Sequence, residues 1–124
     1  MSQYPATYDE LIALEDLPVV AIDQQSIFTY INDAFTEEYG WTAEDLIGKS
    51  VTEIMPTHMR NAHTVGFARY LATETTELLG KPLSLSVLYK DGTVKSSNHY
   101  ILGDKKDSSW RFAAIIDYPL DERK

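Results

Sequence analysis

Three histidines, with serines and carboxylates around them, are the residues of this 124-residue chain whose types and spacing could do chemistry. His63 shares a helical stripe with Met59, Gly66, Phe67 and Tyr70, so its imidazole falls on the apolar side of that helix. There it is either a ligand or a hydrogen-bonded core residue. His99 lies in a β-favouring run, where alternation sends Lys95, Ser97, His99 and Ile101 to one side and Val94, Ser96, Asn98, Tyr100 and Leu102 to the other. If the first set is buried, Ser97 and His99 need partners such as a ligand or ordered water. A one-residue shift of register puts them in solvent or at an interface instead. Two inward histidines suggest a metal site, but no third ligand accompanies them, and His58 near the helix start reads as a surface or capping residue.

Catalytic constellations are not evident. Glu37 with Glu38, Glu44 with Asp45, and Asp121 with Glu122 are sequence neighbours, and adjacent residues of a helix do not project to a common point. No glycine-rich phosphate loop and no nucleophile turn is present, so the chain reads as a binding module and not an enzyme. The absence of cysteine excludes disulfides, thiolate metal sites and any cysteine-linked flavin or chromophore. A net charge of −8 repels phosphate backbones and anionic lipid, which argues against nucleic acid and membrane contact. Apolar runs fall far short of the roughly 20 residues of a membrane span, and no secretory signal pattern opens the chain, so a cytoplasmic location is expected.

The elements that must position these residues are short. Residues 8–17 carry a helical stripe ended by Pro18, residues 19–22 and 27–31 read as a hairpin, and Asn32 caps a helix over 33–39 that Gly40 ends. Thr42 caps a second short helix, with Leu46 and Ile47 turned inward and Gly48 past its end. Residues 57–73 form the longest helix. Three strands follow: 83–89, 94–102 and 110–116, with an Asp91-Gly92 turn after the first and a polar loop over 103–109 after the second. One domain is expected, with residues 1–17 as an N-terminal cap, 18–118 as the body and 119–124 as a tail or linker. Phe35, Trp41, Phe67, Tyr70, Trp110 and Phe112 could stack on a planar cofactor, but aromatic residues at element spacing are ordinarily core.

The stretches Tyr30-Ile-Asn-Asp-Ala-Phe35, Gly40-Trp-Thr-Ala-Glu-Asp-Leu-Ile-Gly48, Ile54-Met-Pro56 and Lys90-Asp-Gly92, in this order and spacing, closely resemble the PAS family. The resemblance implies an α+β fold: a five-stranded antiparallel sheet in the order 2-1-5-4-3, with helices cupping one face into a pocket. It further implies a sensory module of signal transduction, as in two-component regulation. Such a module relays the state of its pocket through a homodimer to the effector domain of a larger regulator. A cofactor-free dimerisation or protein-interaction module is the alternative.

The segment from Met55 to His63, followed by Arg69 and Tyr70, is similar to the helix of haem-containing oxygen sensors, in which a histidine at the position of His63 ligates the iron. On that resemblance a haem b or another small ligand would meet His63, Phe67, Tyr70, Leu83, Ser97, His99 and Ile101. Leu83 stands where those sensors carry an arginine that engages the bound gas. The family's closing signal triplet is also altered, since Asp117 is followed here by Tyr118 and Pro119, and proline disfavours direct continuation into a helix.

Overall fold

The computed structural model describes residues 5–61, 63 and 83–116, with Leu83 through its backbone alone. Five strands, β1 (Val19–Asp23), β2 (Phe28–Ile31), β3 (Leu83–Leu88), β4 (Val94–Lys106) and β5 (Ser109–Ile115), form one antiparallel sheet in the order β2-β1-β5-β4-β3. The order and the fold class are those the resemblance implies.

Alternation along the strands gives the sheet two apolar faces. On the inner face Val20, Phe28, Val87 and Ile116 pack with Phe35 and Tyr39 of α2 (Asp33–Tyr39), Leu46 of α3 (Ala43–Leu46), and Val51 and Ile54 of a 3-10 turn (Val51–Ile54). A bulge between Ala21 and Ile22 shifts the pairing of β1 with β2, which lets Phe28 and Ile31 both turn inward. On the outer face Val19, Ala21, Tyr100, Ala113 and Ile115 pack with Tyr8 and Leu11 of α1 (Tyr8–Ile12). Each large apolar side chain buried in this way contributes roughly 1.5–3 kcal/mol.

The helix starts follow from their capping residues. Thr7, Asn32 and Thr42 accept from the backbone amides of Glu10, Phe35 and Asp45, and Thr42 with Asp45 makes a reciprocal capping box. Asn32 does more than cap. Its Oδ1 also accepts from Val19 N at 3.0 Å, and its Nδ2 donates to the carbonyls of Leu14 and Leu17 at 3.1 and 2.9 Å. One buried side chain therefore joins the start of α2, the start of β1 and the segment that leads down from α1.

Those last contacts explain one departure from the sequence reading. The first helix ends at Ile12, not at residue 17, because the carbonyls of Leu14 and Leu17 are turned toward Asn32 and not along a helix axis. A second departure is Ile47, expected inside and found 41% exposed. It caps α3 in an extended conformation, which turns it away from the face that buries Leu46. A third is the expected loop at 103–109: β4 continues to Lys106 and turns tightly into β5 through Asp107 and Ser108, both at positive φ. Two successive left-handed residues are the geometry of a close hairpin turn.

Candidate functional site

Cross-strand pairing fixes which residues share the inner face. Ile101 pairs with Ala114, which pairs with Val20, and Gly103 pairs with Phe112, which pairs with Ile22. The Phe112 ring lies so close over Gly103 that a Cβ there would meet it at 2.5 Å. At the other end of β4, Leu83 pairs with His99, Leu85 with Ser97 and Val87 with Lys95. Because Val87 belongs to the inner core, Ser97, His99 and Ile101 lie on the helix-bearing side, as does the backbone position of Leu83. The register alternative that exposes them is not the one adopted.

Ser97 and His99 form a pair. His99 Nε2 lies 3.1 Å from Ser97 Oγ, and His99 is only 7% exposed. Burial without a compensating charge pushes its pKa down to about 4, so the ring is neutral at pH 7. The row next to it on this face is apolar: Ile101, two residues along β4, pairs with Ala114, which pairs with Val20 of the inner core.

His63 is placed elsewhere. Residues 57–61 and 63 are helical, and the half-buried His63 ring brings Nε2 to 3.4 Å from Ser26 Oγ, in the turn that joins β1 to β2. Burial lowers its pKa as well. Ser26 lies beyond Ile22, whose row runs through Phe112 to Gly103. Four residues of strand at about 3.4 Å each separate that row from His99. The two imidazoles therefore sit toward opposite ends of the inner face and are not brought together. No group of three potential metal ligands occurs among the described residues.

The Nε2 that would meet an iron is turned to the hairpin hydroxyl of Ser26, and the Leu83–His99 row lies well along the sheet from it. Phe67 and Tyr70, the other residues expected beside His63, lie outside the described residues, as do the remainder of that helix, Asp117 and the tail. His58 is exposed. Of the aromatic residues, Phe35 and Phe112 are buried, Trp110 stacks on Phe112 at 5.8 Å, and Trp41 packs on the inner core and donates its indole N–H to Leu88 O.

The outer face carries a polar cluster that periodicity alone did not single out. Arg111 donates through Nε to Asp104 Oδ1 at 2.6 Å and through Nη2 to Oδ2 at 3.2 Å, and reaches Asp9 of α1 at 3.4 Å. Its guanidinium lies 3.8 Å from the centre of the Tyr8 ring. Tyr100 donates its hydroxyl to Pro5 O. Asp104 lies in the stretch expected to be a loop, so its alignment opposite Arg111 became visible only with the full length of β4.

A family model described as the PAS fold matches residues 15–84. The chain belongs to the PAS family of sensory and signalling domains. An uncharacterized protein of Azorhizobium caulinodans is 32% identical over 77 residues, which are 61% of this chain and 10% of that protein. The PAS domain of a protein from Desulfitobacterium hafniense has a similar fold, with a TM-score of 0.67 at 21% identity over 87% of this chain and 96% of that one. A LOV domain from a blue-light activated histidine kinase of Erythrobacter litoralis gives 0.61 at 13% identity over 81% and 93%. The chain spans about a tenth or less of the length of the curated relatives it matches. No helix among the described residues is long and apolar enough to cross a membrane.

Proposed function

We propose that this chain is the input domain of a larger regulator, and that it takes a small molecule against the inner face of its sheet and passes on the difference between the filled and empty states. The observation that supports this reading is the Ser97–His99 pair, a buried and neutral polar step on the face that carries the apolar inner core. Such groups are retained in a core when something hydrogen-bonds them. The small share of each curated relative that the chain covers, and the sensor kinase to which the LOV neighbour belongs, favour a module that works alongside an effector. The chemistry would be differential binding between two conformations, with no turnover. Relay through a homodimer, with α1 and the outer face at the contact, completes the proposal.

Native mass spectrometry of the purified chain tests it. A reproducible stoichiometric adduct of a few hundred daltons is the expected result; bare protein under conditions that retain weak ligands would leave only the cofactor-free dimerisation module. A visible spectrum taken with haem supplied separates the cofactor class, since a Soret band lost in His63→Ala would establish haem and displace the present reading. Sedimentation of the same sample reports whether the chain is a dimer.

A further inference from the structure

Ser97 and His99 are two residues apart on β4, so both side chains rise from the same side of the sheet. The contact between Ser97 Oγ and His99 Nε2 fixes the plane of the ring. Nδ1 is then the second polar atom of the imidazole, and among the described residues Ser97 alone is seen to bond the ring. With His99 7% exposed, bulk water reaches the ring very little. A ring nitrogen with no partner among the described residues is open to a guest's donor or acceptor.

The character of that partner follows from two observations. A neutral imidazole carries one N–H and one bare nitrogen, while a serine hydroxyl rotates to donate or to accept. Toward Nε2 Ser97 can take either part, so Nδ1 is able to present a donor or an acceptor as the guest requires. Among the described residues charge is scarce nearby: Val20, Ile101, Ala114 and Ile116 supply none, and Lys95, a cation on the same face of β4, is exposed with its ammonium 5.5 Å over the Tyr89 ring. An ionised guest would leave water for a neutral ring and apolar walls, which is costly.

We propose that His99, oriented by Ser97, is the polar anchor of the inner face for an uncharged ligand bearing a carboxamide-type group, a carbonyl beside an N–H. The inference rests on the ligand-binding reading above and adds the class of ligand and the atom that meets it.

The test is a titration of the whole chain, with ¹⁵N-labelled histidine, by benzamide, benzoate and toluene, three probes of one ring size. Benzamide is expected to shift the His99 ring signals and to bind about tenfold more tightly than benzoate, the difference made by one good hydrogen bond. His99→Phe, which keeps an apolar ring and removes both nitrogens, is expected to weaken benzamide about tenfold and leave toluene unchanged. Should that variant misfold, Ser97→Ala is expected to alter the His99 tautomer signals and weaken benzamide severalfold. Benzoate bound as tightly as benzamide, or benzamide affinity indifferent to both variants, would overturn the anchor and leave the ligand-binding reading standing. Failure of all three probes to enter would overturn both.

Discussion

The two faces of the sheet bury comparable apolar side chains but treat their polar groups in opposite ways. On the outer face the charges are matched: Arg111 is held by Asp104 through two hydrogen bonds, reaches Asp9 and lies on the Tyr8 ring. The pairing with Asp104 raises the pKa of Arg111, so the guanidinium is charged at every working pH. On the inner face His99 is neutral, desolvated and served by one serine. A matched ionic cluster suits an element that stays where it is, here α1. An undersupplied neutral group suits a face that exchanges partners, which is why the functional proposal is placed there.

The largest effect is expected where the two faces are joined. Asn32→Ala removes four hydrogen bonds and leaves two amides and two carbonyls unmatched around a buried site. It should lower the unfolding free energy by about 3 kcal/mol or more in urea titration. A loss below about 1 kcal/mol would mean that the segment from Leu14 to Leu17 does not depend on this side chain.

The inner face is isolated by acid. The folded pKa of His99, about 4, lies below the ordinary value of 6.5, so between these two pH values the unfolded chain binds a proton that the folded chain refuses. Stability is full above pH 6.5, falls as the pH drops toward 4, and levels out below. The loss is on the order of 3 kcal/mol, and the burial of His63 acts in the same direction. His99→Leu should flatten most of that slope in denaturation measured across pH. An unchanged slope would place the titration elsewhere.

The outer face yields the smallest change. Arg111→Ala should cost about 1 kcal/mol, because its ionic partners are partly exposed and screened. Its signature is local: amides of α1 should exchange with solvent faster while those of β1 and β5 hold their protection. Equal loosening on both faces would contradict the separation drawn here.

Much of this architecture was legible in the sequence because it depends on short-range chemistry. Asn32, Thr42 and Gly40 mark helix ends by side-chain capping and by a left-handed residue, and alternation along β4 already grouped Ser97, His99 and Ile101. The turn at Asp107 and Ser108 was hidden because it adopts left-handed geometry without a glycine, so β4 looked too short and Asp104 looked like loop. The end of α1 was hidden for another reason: it depends on contacts with Asn32 at a separation of 15 to 18 residues, which a local stripe cannot encode. The distance between His63 and His99 was equally out of reach, since a helical stripe and a strand alternation each give a direction but not how far apart the two side chains land.

The length of β4 has one more consequence. Among the described residues, its first part pairs only with β3, from Val94 to His99, and its second only with β5, from Tyr100 to Lys106. One continuous strand thus joins the edge hairpin to the centre of the sheet. His99, which faces inward, is followed directly by Tyr100, whose hydroxyl donates to Pro5 O on the outer face, so the proposed anchor and the tie to the N-terminal segment are one residue apart along the chain.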